Sequence, residues 1–99
     1  MKVYISGPIT GKENYMERFR DAQKHLEEKG LAVVNPAFTN ATLPAQETSY
    51  EDYMKISFTL LDICDAIYML EGWQWSRGAR RELRRAKKAE KIVWYQKNG

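Results

Sequence analysis

One cysteine and one histidine are all that this chain of 99 residues carries of either type. Cys64 has no partner, which excludes an internal disulfide framework and suits a reducing cytoplasm; lying inside an apolar run, it reads as a buried core thiol. Cys64 and His25 lack companions at ligand spacing, so no metal site and no cofactor are expected. His25 falls among Lys24, Glu27 and Glu28 on the polar side of a helix and reads as solvated. No apolar stretch approaches the roughly 20 residues that a membrane span needs. The N-terminus reads as a strand followed by Gly-Pro, not as a signal peptide. A cytoplasmic protein with no membrane partner is therefore expected. Internal repeats and low-complexity segments are also absent.

What is present is a globular composition, 43% hydrophobic and 29% charged, in a length that suits a single domain over residues 1–99. A chain this short buries a smaller share of its surface than a larger domain does. Twelve aromatic residues in such a chain suggest that a second subunit covers some of them, so a homodimer or higher homo-oligomer is expected. The net charge is +3, concentrated in Arg77, Arg80, Arg81, Arg84, Arg85, Lys87, Lys88 and Lys91. That run carries Leu83, Ala86 and Ala89 at core spacing and no recognised reading motif. It is read as a solvated helix face, with nucleic acid an unlikely partner.

Lys2 to Ser6 is β-rich and ends at Gly7-Pro8-Ile9-Thr10-Gly11, a turn that cannot continue a strand. Thr10 and Glu13 have capping-box spacing, Tyr15, Phe19, Ala22 and Leu26 recur at helical spacing, and Gly30 supplies a C-cap. Leu31 to Val34 reads as a second strand closed by Asn35-Pro36. Ala37 to Glu47 shows no periodicity and reads as a long loop of the kind that covers sites. Thr48 with Glu51 offers another capping box for a helix running to about Asp62 with a wide apolar face. Asp65 to Leu70 reads as a buried strand and Glu71 to Trp75 as a loop. A helix from Ser76 carries Ala79, Leu83 and Ala86 on one face, and Lys91 to Tyr95 is a last strand. Strands alternating with helices predict a small α/β domain, an open parallel sheet of about four strands with helices on both faces. In such sheets the ligand lies outside the carboxyl ends of the strands, where Gly7 to Gly11, Asn35 to Glu47 and Glu71 to Gly78 should converge.

Several of these residues have two readings. The loop Gly7, Pro8, Ile9, Thr10, Gly11 leads toward a helix N-terminus that could receive an anion, or it is a tight turn with Thr10 as N-cap. Ser76 suits an N-cap, with a hydroxyl that could also reach a ligand, while Arg77 in the first turn runs against the dipole preference for acids and hints at an anionic ligand. Glu82 lies four residues after Gly78, and a helical side chain points back toward the N-terminus, so the missing Cβ of Gly78 would leave the carboxylate open. Trp73 or Trp75 could stack on a nucleobase or belong to core or interface. Asp62 and Asp65, flanking the start of the third strand, read as structural.

Tyr4-Ile5-Ser6-Gly7-Pro8-Ile9-Thr10-Gly11, Asn35-Pro36, Tyr53-Met54, Cys64-Asp65-Ala66-Ile67-Tyr68, and Gly72-Trp73 followed by Ser76-Arg77-Gly78-Ala79 and Glu82 together resemble the small, often phage-encoded branch of the nucleoside 2-deoxyribosyltransferase-like superfamily. The resemblance runs over nearly the whole chain. It implies a flavodoxin-like fold, of the Rossmann-like class, that assembles as dimers or larger oligomers. It further implies that Glu82 acts as the nucleophile on the anomeric carbon of a deoxyribose, as in a retaining glycosidase, with Tyr4 orienting it. Ser76 looks like the serine that binds the 5′-phosphate in related nucleotide hydrolases. The superfamily usually places an aspartate eight residues before that of the third strand to manage protonation of the leaving base. Here that position is Ser57, so Tyr4, Asp62 or a neighbouring subunit would have to substitute.

The expectation is thus an enzyme acting on the N-glycosidic bond of a 2′-deoxynucleoside or its 5′-monophosphate. Glu82 and Tyr4 would be catalytic, and Gly7 to Gly11, Asn35, Trp73, Ser76, Arg77 and Gly78 would hold a small-molecule nucleoside or nucleotide. The alternative is a non-catalytic nucleotide-binding module using the same pocket.

Overall fold

The computed structural model describes residues 1–9 and 13–97. Strands β1 (Lys2–Ser6), β2 (Ala32–Val34), β3 (Ala66–Met69) and β4 (Ile92–Tyr95) form one sheet in the order β2-β1-β3-β4, every neighbouring pair parallel. Parallel neighbours need a crossover. Helices α1 (Tyr15–Glu28), α3 (Tyr50–Asp62) and α4 (Arg77–Lys88) supply them, and a short helix α2 (Pro36–Ala41) follows β2. This is the α/β fold expected, compatible with a flavodoxin-like open sheet. Among the described residues no helix is long and apolar enough to cross a membrane.

Side chains alternate across the sheet, and each face buries its own set. Val3, Ile5, Ala66 and Tyr68 meet Phe19, Ala22 and Leu26 of α1 on one face. Tyr4, Ile67 and Met69 meet Leu61 of α3, Cys64, and Ala79, Leu83 and Ala86 of α4 on the other. Covered on both sides, β3 is apolar at every position, as an inner parallel strand must be. Cys64 is buried as expected.

The ends of the helices show local chemistry at work. Gly30 sits at φ +85°, and its N–H donates to Glu27 O while that of Leu31 donates to Leu26 O, closing α1 with a left-handed C-cap. The same pair of bonds ends α4, from Glu90 to Lys87 and from Lys91 to Ala86, but there the left-handed residue is Glu90 at φ +59°. Gly7 has a different reason to be glycine. The Leu70 N–H donates to Ser6 O at 2.7 Å, drawing the ends of β1 and β3 together, and a Cβ on Gly7 would stand 2.7 Å from Leu70 Cβ.

Four local expectations are corrected. Ala37 to Glu47 is not one long loop. Asn35 Oδ1 accepts from Ala37 N at 3.0 Å and Pro36 takes the first helical position, so α2 starts at once, and a 3-10 turn follows at Ala45–Glu47. Elements this short complete too few turns to show a period. The capping box of α3 is Ser49 with Asp52, not Thr48 with Glu51. Thr48 instead bonds Pro44 O, and Glu51 pairs with Arg81. Helix α1 begins at Tyr15 with Asn14 as its N-cap residue, not at Thr10, which lies outside the described residues. The loop Glu71 to Trp75 contains a 3-10 turn, Trp73–Trp75.

Two substitutions test these backbone assignments by urea unfolding. Glu90→Gly should raise stability by about 1 kcal/mol, because glycine adopts the left-handed conformation without the Cβ penalty. Gly7→Ala should lower it by about 1–3 kcal/mol, because the added methyl overlaps Leu70.

Candidate active site

The site originates in a mismatch of strand lengths. β2 pairs with β1 only as far as Tyr4↔Val34, after which Asn35-Pro36 diverts the chain into α2. On the other side β3 stays paired with β1 through Ser6↔Met69. Ile5 and Ser6 are thus left with a strand on one side only. The gap lies at the carboxyl end of the strand from which the sheet order runs outward in both directions, where open α/β sheets place ligands. A cavity of about 300 Å³ opens there. Its wall comprises the end of β1 from Tyr4 to Gly7, Ile9, Tyr15 and Phe19 of α1, and Pro36 and Asn40 of α2. Tyr50, Tyr53, Met54 and Ser57 of α3 and Ser76, Gly78, Ala79 and Glu82 at the start of α4 complete it.

Glu82 is the only carboxylate among the described residues of this wall, and its residue is 7% exposed. The hydroxyl of Ser6 donates to its Oε1 at 2.5 Å and that of Tyr4 to its Oε2 at 2.7 Å. Both donors come from alternate positions of β1, so one face of one strand holds both oxygens of the carboxylate. Burial pushes the Glu82 carboxyl up to about 7, because a charged form with no ion-pair partner loses its water; the hydroxyls of Ser6, Tyr4 and Ser57 pull the other way. Burial and the neighbouring carboxylate hold the Tyr4 phenol well above its ordinary range, so it remains a donor across the accessible pH range. The result is a carboxylate of fixed orientation that faces an apolar, aromatic cavity and is poised to change charge near neutral pH. Such a group can act as nucleophile or as proton acceptor. Among the described residues no cluster of three or more His, Cys, Asp or Glu side chains could hold a metal ion.

The structure brings together Tyr4, Gly7, Ile9, Ser76, Gly78 and Glu82 from the residues singled out in the sequence. Thr10 and Gly11 lie outside the described residues. The rest stand elsewhere. Pro8 is buried but does not border the cavity. The Asn35 amide is occupied at both ends, accepting from Ala37 N and donating to Gln23 Oε1 at 3.1 Å. Trp73 packs on the α4 face of the sheet, its ring 5.8 Å from that of Tyr95, and Trp75 is 88% exposed outside the wall. Arg77 lies over the Tyr50 ring at 4.9 Å. The Ser76 hydroxyl is the N-cap of α4, accepting from Ala79 N at 3.1 Å. Gly78 does border the cavity, but a Cβ there would meet Met54 Sδ at 3.4 Å and Tyr50 Oη at 3.8 Å. Both are ordinary contact distances, so the close approach of α3 does not by itself require glycine at this position. Asp62 is bound by Arg85 through two hydrogen bonds of 2.7 and 2.8 Å, is absent from the cavity wall, and cannot assist Glu82.

Sequence reasoning missed several wall residues. Ser6 had a signal, since it stands two residues after Tyr4 on the same strand and must share its face. Tyr50 had none, for it opens a helix; Asn40 lay within the Asn35 to Glu47 segment expected at the ligand, but its helix is too short to show which of its residues face inward. Tyr15, Phe19, Tyr53 and Met54 were legible only as apolar helix positions.

The buried carboxyl makes stability depend on pH in a defined sense. Its ordinary value is 4.5 and its folded value about 7, so over that interval the native state binds more protons than the unfolded chain, and stability falls as pH rises. The effect is present in full above pH 7 and amounts to about 3 kcal/mol. Urea unfolding at pH 5 and pH 8 should show this decline in the parent chain. Glu82→Gln should abolish most of it and be the more stable of the two at pH 8.

No curated protein matches the chain. The model of a family described as Domain of unknown function (DUF4406) matches residues 1–95, which takes in every strand of the sheet and every residue of the cavity wall. The chain belongs to that family.

Proposed function

We propose that this protein cleaves or transfers across the N-glycosidic bond of a 2′-deoxynucleoside or its 5′-monophosphate. The observation that carries the reading is the single buried carboxylate of Glu82, clamped by Tyr4 and Ser6 at the bottom of a cavity with aromatic walls. A sugar's anomeric carbon bears partial positive charge as its bond to the base lengthens, and an oriented carboxylate in a low-dielectric site stabilises that charge strongly. In the proposed sequence, one oxygen of ionised Glu82 attacks C1′, and the C1′–N bond breaks with its electron pair leaving on the base, which takes a proton from solvent water; the attacking water or second base of the next step returns one to solvent. Water or a second base then attacks C1′ from the opposite side, and the carboxylate leaves. Two displacements give retention at C1′. Tyr4 and Ser6 keep Glu82 aligned through both steps, and the tyrosines of the wall offer rings to the base. The Ser76 hydroxyl and the first turn of α4 would receive a 5′-phosphate.

A second reading has an observation in its favour. Among the described residues Glu82 is the only carboxylate bordering the cavity, Ser57 stands where the resemblance would place a second, and Asp62 is occupied by Arg85. A pocket whose described wall has no second carboxyl group to protonate the leaving base suits a protein that binds a nucleotide without cleaving it.

Chromatographic detection of free base from each 2′-deoxynucleoside 5′-monophosphate separates the two. On the enzymatic reading base is released, the rate rises with pH through about 7 as Glu82 ionises, and Glu82→Ala abolishes release. Tyr4→Phe should lower the rate by about 10²-fold through loss of the aligning bond. Nucleotide binding by calorimetry with no base released would establish the binding module instead.

A further inference from the structure

Asn40 borders the cavity from α2 and is not held by the protein. Pro36 and Asn40 are four residues apart, so they share one face of α2, and both line the wall. Asparagine near a helix end ordinarily bonds a nearby backbone group. Asn35 does so, with its amide satisfied at both ends. The main-chain carbonyl of Asn40 accepts from the N–H groups of Thr42 and Leu43, while the side-chain Oδ1 is buried with no hydrogen-bond partner. An unmatched buried acceptor is a standing penalty that an apolar residue of the same size would avoid, and in a native protein it calls for an explanation. The rest of the wall offers no donor committed to it. The hydroxyls of Ser6 and Tyr4 donate to Glu82, and those of Ser57, Ser76, Tyr15, Tyr50 and Tyr53, which also line the wall, leave Asn40 Oδ1 without a partner. Among the described residues Asn40 is also the only side-chain amide in the wall, which is otherwise made of hydroxyl-bearing, aromatic and aliphatic side chains besides Glu82. The amide torsion of asparagine is soft, so a modest rotation turns Oδ1 from the wall into the cavity.

We propose that Asn40 is the specificity-determining residue of this cavity, its Oδ1 accepting a hydrogen bond from an N–H on the pairing edge of a nucleobase held between the aromatic walls. The proposal rests on the reading of the cavity as a nucleobase site. Nucleobases present an N–H beside an acceptor on that edge, a pattern that a side-chain amide complements. A polar site of this kind discriminates strongly against a ligand that lacks the donor, because the buried acceptor is then left unmatched.

The test uses carbocyclic 2′-deoxynucleosides, which lack the sugar ring oxygen and are not cleaved whatever Glu82 does. Affinities are measured by calorimetry for the four natural bases and, for the tightest, its analogue with the pairing-edge N–H removed or methylated. The parent chain should prefer the natural base at least tenfold. Asn40→Leu and Asn40→Ala should bring that ratio close to one, with the melting temperature of Asn40→Leu equal to or above that of the parent. The proposal is overturned if Asn40→Leu keeps the preference, if both variants melt lower and lose all binding together, or if the parent binds none of these compounds at millimolar concentration. Base release from nucleotides by the parent chain, measured separately, decides the role of Glu82 in every one of these cases.

Discussion

The burial of one carboxylate without a cation is the constraint around which this molecule is organised. A lone Glu82 inside a domain of this size is tolerable only if its oxygens find donors, and the two that serve come from Tyr4 and Ser6 of the strand at the centre of the fold. The strand has to present a phenol and a hydroxyl on the side where its neighbours present isoleucine and methionine, and α4 has to seat one acidic residue among Ala79, Leu83 and Ala86. Each concession weakens the core locally. Together they hold a carboxylate whose orientation is fixed and whose charge is sensitive to pH near neutrality.

The same region is opened by a second departure from regularity. Were β2 as long as β1, it would cover Ile5 and Ser6 and leave no room beside Glu82. Asn35 and Pro36 end β2 by capping and starting α2, and the six residues of that helix become one wall of the cavity. Glu82 and its two partners thus stand on regular elements, α4 and the central strand β1, while the opposite wall is built from the short helix that interrupts the sheet edge.

The cationic helix α4 is less exposed in its charge than the composition suggests. Arg81 pairs with Glu51 and Arg85 with Asp62, and their guanidinium groups lie over Phe58 at 5.3 and 4.7 Å. Both pairs tie α4 to α3, so these charges act within the structure and fix the two helices that frame Glu82. Exposed ion pairs of this kind add little stability individually, and their contribution here is to relative position.

The strands, the three long helices and the parallel order were legible in the residues, because β-rich runs, an apolar period of 3.6 and glycine at a helix end are local signals that tertiary packing left intact. The end of α4 at Ala86 to Lys91 was legible without its cause, since a glutamate in a left-handed position leaves no mark in composition. At the site, Glu82, Tyr4 and Ser76 were recognisable from motif and resemblance, and Ser6 could have been inferred from alternation. Tyr50 could not, Asn40 only as part of the segment Asn35 to Glu47, and the partners that hold Asn35 and Trp73 away from the cavity left no mark, whereas Asp62 was legible as structural. The sequence by itself determined which segments are strands and helices, since these depend on residues within a few positions of one another, while the burial of Glu82 rests on Tyr4 and Ser6 from the far end of the chain. Only the tertiary structure decided which side chains face the cavity and which are already bonded elsewhere, because that depends on where β2 ends against β1 and how closely α4 approaches α3, distances between residues far apart in the chain.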